Sequence, residues 1–129
     1  MLIQVDFNSG EPVTRQVIAQ VKWMVASGKL QPGEKLPSVR QFAKQLKVNP
    51  TTVTRIYAEL SSGNVIVLRQ GQGAFVCTET PSVNRTEARK GVRKIIRNML
   101  AEGVRLGLSP DDLRQLIEAE IKKLPEESK

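Results

Sequence analysis

A chain of 129 residues with 40% hydrophobic and 26% charged residues has the size and balance of one domain with a short accessory segment. Histidine is absent, which removes the usual general base, the common nucleophile pairs and most zinc sites, so we expect no enzymatic activity and no cofactor. The net charge of +7 favours a polyanionic partner, because clustered lysine and arginine release counterions from phosphates.

The single cysteine and the start of the chain indicate the compartment. Cys77 has no partner for an intramolecular disulfide, and the first residues lack the regions of a signal peptide. No apolar run approaches the roughly 20 residues that span a bilayer. We therefore expect a cytoplasmic protein without membrane contact. A small buried apolar role is favoured for Cys77, and a redox-sensing role is the alternative.

The first two predicted elements are helices. Apolar residues recur at helical spacing from Pro12 to about Ser27, and Gly28 ends this segment. After a turn-rich connection, Pro37 is predicted to occupy the first position of the second helix. One face of the second helix is apolar, and its cations fall together on another face: Arg40, Lys44 and Lys47.

A third helix is predicted to begin at Asn49 and Pro50. The asparagine side chain caps exposed N–H groups, and the missing donor of proline costs nothing at the first helical position. About two residues separate this helix from the second one. Its apolar stripe places Thr51 and Arg55 on the outward side, with Thr54 flanking them.

Two β-rich runs follow, Val65 to Arg69 and Ala74 to Cys77. They enclose a glycine-containing turn, so they predict a β-hairpin. The order of three helices and a hairpin predicts a winged helix-turn-helix domain over residues 1–77. The expected fold is therefore mainly α with a small β-hairpin, followed by a two-helix C-terminal dimerisation segment.

The C-terminal part predicts a linker at residues 78–84, a helical segment at 85–124 and a disordered tail at 125–129. A helix is expected from Arg85 to about Gly107, and the run from Ser109 to Asp112 opens a last helix. Two apolar stripes need something to bury them, which favours a homodimer; packing on the chain's own domain is the alternative. The predicted dimer contacts are Val92, Ile95, Ile96, Met99, Leu100, Leu113, Leu116, Ile117 and Ile121.

The N-terminal elements together predict contact with double-stranded DNA. In a helix-turn-helix motif the second helix enters the major groove, and polar side chains near its N-terminus reach base edges and phosphates. The hairpin tip could approach a minor groove closely, since glycine removes side-chain bulk. The predicted DNA-contacting residues are Ser38, Arg40, Lys44, Asn49, Thr51, Thr52, Thr54, Arg55, Gln70, Gly71 and Gln72.

Three segments resemble the DNA-binding domain of the GntR family of bacterial regulators, in its short YtrA-like branch. They are GEKLPSVRQFA from Gly33, VNPTTV from Val48 and RQGQGAFV from Arg69, and the resemblance covers about residues 12–77. It implies a repressor with DNA contacts from these residues: Arg40, Thr51, Thr52, Thr54, Gln70 and Gly71. Pro50 and Thr54 stand where relatives frequently carry arginine, and by hypothesis Arg55 takes over part of that role.

The resemblance also implies a homodimer on a roughly palindromic operator, with half-sites about one helical turn apart or a multiple of it. Only about fifty residues follow the hairpin, and two helices cannot enclose a typical metabolite pocket within one chain. An unknown small-molecule effector bound between subunits stays open. A non-specific architectural DNA-binding protein and a winged-helix protein-interaction module are the competing functions.

Overall fold

The computed structural model describes residues 2–79 and 84–125. The chain divides into two compact units, one ending at Thr80 and the other beginning at Pro81. Residues 80–83 of the predicted linker and 126–129 of the predicted tail lie outside the described residues. In the two described ranges, no helix is long and apolar enough to cross a membrane. The predicted fold class, mainly α with a small β-hairpin, is confirmed.

The first unit contains three helices and a hairpin in the predicted order. They are α1 (Val13–Ala26), α2 (Val39–Leu46), α3 (Pro50–Ser62), β1 (Ile66–Arg69) and β2 (Gly73–Val76). All five elements contribute apolar side chains to one core, and burying each large one stabilises the fold by roughly 1.5–3 kcal/mol. The largest fully buried side chains are Phe42, Ile56, Leu60, Ile66, Val17, Val21, Val53 and Val76.

Two glutamine side chains of α1 hold the N-terminal segment along the helix. The Gln16 side chain accepts a hydrogen bond from the Asp6 N–H at 2.9 Å and donates one to the Asp6 carbonyl at 3.0 Å. Gln20 makes the same reciprocal pair with the backbone of Gln4, at 3.1 and 2.6 Å. Each side-chain amide therefore pairs with both the N–H and the C=O of one residue, as a neighbouring β-strand would. α1 ends as expected, since Gly28 adopts a left-handed φ of 82° directly after the cap.

The predicted start of the second helix at Pro37 is wrong. Ser38 caps α2 from an extended conformation, and its hydroxyl accepts a hydrogen bond from the Gln41 N–H at 3.1 Å. The Gln41 side chain accepts in return from the Ser38 N–H, so two otherwise unpaired donors are satisfied reciprocally. This capping box outcompetes the preference of proline for the first helical turn. Lys47 is also not on the helix, because it follows as the left-handed C-cap at φ 59°.

The wing contains a third extended segment beside its two strands. β1 and β2 pair antiparallel, with Val67 opposite Phe75 and Arg69 opposite Gly73. Residues 33–36 run along the free edge of β2, where the Leu36 N–H donates to the Ala74 carbonyl at 2.8 Å. An isolated bridge pairs Lys35 with Phe75 across this edge. The segment before α2 thereby fixes the wing on the helical core.

The second unit is a pair of helices, α4 (Arg85–Arg105) and α5 (Pro110–Ile121). Asn84 caps α4, and a reciprocal capping box between Ser109 and Asp112 begins α5 as predicted. Leu113 differs from its predicted role at a dimer surface, because it is 5% exposed and packs against Gly103 of the same chain. Glycine at position 103 is what lets the two helices approach so closely.

Candidate nucleic-acid interface

A tight turn joins α2 to α3. The left-handed Lys47 reverses the chain, and the Val48 N–H donates back to the Ala43 carbonyl at 3.0 Å. Asn49 then caps α3 through its side-chain oxygen, which accepts from the Thr51 N–H at 2.8 Å, and Pro50 occupies the first turn. These features confirm the predicted helix start. Three residues between the helices hold them in a helix-turn-helix arrangement.

The two helices are further held together by Tyr57. Its ring stacks on Phe42 of α2, with 5.8 Å between the ring centroids, and its hydroxyl donates to the Pro37 carbonyl at 2.7 Å. Burial raises the pKa of the Tyr57 phenol above its usual range. The residue therefore remains a neutral donor under ordinary conditions, and it ties the middle of α3 to the chain just before α2.

The outward face of α3 carries the predicted contact residues. Thr51, Thr54 and Arg55 are exposed, Thr52 is half-buried, and the opposite face of the helix is buried in the core. The Thr54 hydroxyl donates to the Pro50 carbonyl at 3.1 Å, so in this conformation its proton is used within the helix. Its oxygen still has acceptor capacity. The N-terminal half of α3 thus presents short polar groups beside one long cation.

Exposed cations on α2 and the caps of α2 and α3 carry the remaining predicted contact residues of the two helices. Arg40 and Lys44 lie one turn apart on α2 and are both exposed. Ser38 and Asn49 use their side-chain oxygens as helix-cap acceptors, which leaves the Ser38 hydroxyl proton and the Asn49 amide free to donate. The sequence predicted both a capping role and a DNA contact for Asn49, whereas for Ser38 it predicted the DNA contact and missed the cap.

The wing tip is an open turn between β1 and β2. The Gln72 N–H donates to the Arg69 carbonyl at 2.9 Å, and Gly71 lies between the two glutamines at a φ of 76°. Gln70, Gly71 and Gln72 are all exposed. A side chain at Gly71 would be strained by the left-handed backbone, so glycine fits the turn here.

Two further cations, which sequence reasoning missed, lie around Phe75 at the base of the tip. The Arg69 guanidinium carbon is 5.0 Å from the Phe75 ring centroid, and the Lys35 ammonium is 6.0 Å from it. The alternation of β1 and β2 could have placed Arg69 and Phe75 on one face. The pairing of Lys35 with β2 is a tertiary contact that no local sequence pattern predicts.

The described residues of this region include no cluster of metal-ligating side chains. Across the described ranges, histidine, cysteine, aspartate and glutamate form no group of three that could hold a metal ion. Cys77 is half-buried, and its sulfur lies 3.4 Å from the Glu79 carbonyl oxygen. The groups that the site offers are hydrogen-bond donors, cations and short polar side chains.

Three helices with a tight turn before the third, followed by an antiparallel hairpin, define a winged helix-turn-helix DNA-binding protein. The model of the family described as "Bacterial regulatory proteins, gntR family" matches residues 13–76. The chain belongs to this family, and it is a DNA-binding transcriptional regulator.

The similarity to known proteins extends beyond the DNA-binding domain. The uncharacterized HTH-type transcriptional regulator YhcF of Bacillus subtilis is 32% identical over 108 residues, which cover 84% of this chain and 88% of that protein. The HTH-type transcriptional repressor YtrA of B. subtilis is 39% identical over 75 residues, 58% of each chain. A crystal structure of a transcriptional antiterminator from Listeria monocytogenes EGD-e covers 100% of this chain and 97% of its own, at 26% identity and a TM-score of 0.81.

Proposed function

We propose that the protein is a homodimeric repressor that recognises a two-fold symmetric DNA operator by inserting α3 into the major groove. The observation that carries this proposal is the outward face of α3, where Thr51, Thr54 and Arg55 are exposed while the opposite face is fixed in the core. Short polar side chains let a helix approach base edges, and arginine binds guanine in a bidentate manner. The face therefore has the chemistry of direct sequence recognition.

The neighbouring groups supply contacts to the DNA backbone. Arg40 and Lys44 on α2 have the charge and exposure to bind phosphates, and the free donors of Ser38 and Asn49 lie at the starts of α2 and α3. Such contacts set the orientation of the domain on the duplex. The exposed tip at Gln70–Gln72 is assigned to the adjacent minor groove. The protein acts by binding alone, in the cytoplasm where the chromosome lies.

The apolar faces of the second unit support a homodimer. Within the described residues, many large apolar side chains of α4 and α5 are exposed to solvent. Exposure of so much apolar surface to water is unfavourable, and such patches commonly mark interaction surfaces. Ile95 is 66% exposed and Ile121 is 54% exposed. Met99 is half-buried, and Leu113 is excluded because its side chain is already covered. The proposed dimer contacts are Val92, Ile95, Ile96, Met99, Leu100, Leu116, Ile117 and Ile121.

Charge favours packing of α4 from one copy against α5 from the other. α4 carries seven arginine or lysine residues and two glutamates, whereas α5 carries four acidic residues and one arginine. Arg85, Arg89 and Arg93 line a shallow groove of about 360 Å³ together with Val92 and Ile96. Opposite charges beside apolar surface suit a contact that is repeated twice around a two-fold axis.

A repressor role is supported by the similarity to the B. subtilis repressor YtrA, whose matched stretch is 39% identical. A dimer bound to a symmetric site in a promoter prevents RNA polymerase from binding the same DNA. The two-fold axis of the protein would then coincide with that of the operator, which places the two copies of α3 about one helical turn apart or a multiple of it.

The test is in vitro selection of duplex DNA on the purified full chain, with binding repeated at two salt concentrations and sedimentation of the complex. Enrichment of one inverted repeat, bound by two copies, is the expected result. If no sequence is enriched and affinity collapses as salt rises, the protein is a non-specific architectural binder. Absence of any duplex binding would leave a protein-interaction module.

A further inference from the structure

We propose that Lys35 and Arg69 form a phosphate clamp at the base of the wing tip, positioned by the ring of Phe75. The two cations are exposed and lie 6.0 and 5.0 Å from the same ring. The proposed ligand is the DNA backbone beside the groove that the wing tip enters, so the inference rests on the proposed function. It adds two contact residues outside α2, α3 and the tip itself.

The backbone places both cations next to the tip. Arg69 is the last residue of β1 and pairs with Gly73, the first residue of β2, so these two residues close the turn. Lys35 reaches the same place from the edge segment, because its side chain passes close to the position that a Cβ on Gly73 would occupy. That position is 3.2 Å from Lys35 Cε and 4.0 Å from its ammonium nitrogen. Glycine at 73 thus leaves room for the lysine.

Two like charges held around one ring repel each other, and an anion close to both offsets this repulsion. In the described part of the chain, the salt bridges belong to Arg105, Arg114 and Lys123, so neither Lys35 nor Arg69 has a carboxylate partner. The face of Phe75 attracts both cations and orders their long side chains. A pair of ordered, unneutralised cations at the edge of a groove-binding tip is the arrangement that a phosphate would complete.

The test is equilibrium binding of the full chain to the selected operator and to random duplex DNA over a series of salt concentrations. Lys35→Gln and Arg69→Gln are each expected to weaken binding to both duplexes alike. Each should also lower the slope of log affinity against log salt by about 0.9, the value for one phosphate contact. Arg69→Lys preserves the charge and is expected to keep the slope. Lys22→Gln is the control, because Lys22 is an exposed cation of α1 and its substitution changes the net charge by the same amount.

Different failures have different meanings. Slopes for Lys35→Gln and Arg69→Gln equal to those of the unaltered protein would overturn the clamp and leave the proposed regulator intact. An equal fall in slope for Lys22→Gln would show a general charge effect and would also overturn it. If the unaltered protein binds no duplex, the proposed function fails and the clamp fails with it. Circular dichroism of each variant verifies that its wing and helices are folded.

Discussion

Gly103 and Leu113 are in direct contact across the corner between α4 and α5. A methyl group on Gly103 would lie 2.6 Å from Cδ2 of Leu113 and 3.2 Å from its Cδ1. Both residues are buried, whereas nearly all the other residues described in these helices are exposed. This contact therefore limits how closely α5 approaches α4.

Gly103→Ala is expected to destabilise the helix pair. The added methyl group would displace the buried Leu113 side chain, and overpacking typically costs about 1–3 kcal/mol, against the roughly 0.5–1 kcal/mol that alanine gains over glycine in a helix. Thermal unfolding followed by circular dichroism measures the change at fixed protein concentration. Gly91→Ala is the matched control, because Gly91 lies in the same helix with open space around it, and this variant should be slightly stabilised. Equal stabilisation of both variants would contradict the close contact.

Tyr57→Phe should destabilise the first unit by about 1 kcal/mol, the typical contribution of one hydrogen bond. The substitution keeps the stacking on Phe42 but leaves the Pro37 carbonyl without its hydrogen bond. Trp23 is the only tryptophan and is half-buried on α1, so its fluorescence during urea unfolding reports this unit. An unchanged midpoint would show that the hydrogen bond contributes nothing to stability.

Alkaline pH gives a second measurement on the same residue. Burial raises the pKa of Tyr57 in the folded chain, so its contribution to stability is fully present below the unfolded value of about 10 and is lost as pH rises above it. Tyr57 is the only tyrosine, and the ultraviolet absorbance of its phenolate therefore follows this titration directly. Tyr57→Phe should remove this part of the alkaline destabilisation. Ionisation of the folded protein near the ordinary value would contradict the buried environment.

Low pH should weaken the start of α5. Hydrogen bonds from the Ser109 backbone N–H and side chain hold the pKa of Asp112 below its ordinary value. A depressed carboxyl pKa stabilises the fold above the unfolded value of about 3.9, and this stabilisation is lost as pH falls through the folded value. Asp112→Asn should therefore flatten the fall in melting temperature below about pH 4. Asp111→Asn is the control, because it removes a neighbouring carboxylate that accepts no hydrogen bond from Ser109. The melting temperature of this variant should fall more steeply with decreasing pH than that of Asp112→Asn.

The sequence was sufficient for those features that depend on local chemistry. The Asn49–Pro50 start of α3, the Ser109–Asp112 start of α5 and the hairpin all follow from residues within a few positions of one another. The Pro37 error had a local cause too, since Ser38 and Gln41 form a capping box that competes with proline.

Other features depend on contacts between distant residues. The stripe on α5 includes Leu113 at helical spacing, and periodicity alone cannot show that this position faces Gly103. The wing cations have the same origin, because Lys35 meets Phe75 only after the edge segment has paired with β2. The set of apolar residues could thus be predicted, whereas the division between internal packing and open surface required the structure.

Arg55 is expected to determine base specificity, because Pro50 and Thr54 leave it as the only cation on α3. Arg55→Ala should lower the preference for the selected operator over random duplex DNA by about 1–3 kcal/mol. Arg55→Lys separates two roles: lysine retains a phosphate contact but cannot reproduce the bidentate geometry of arginine. Competition binding at one salt concentration measures both. Loss of discrimination in both variants, with affinity for random DNA retained in Arg55→Lys, would identify a base contact, whereas unchanged discrimination in Arg55→Ala would refute it.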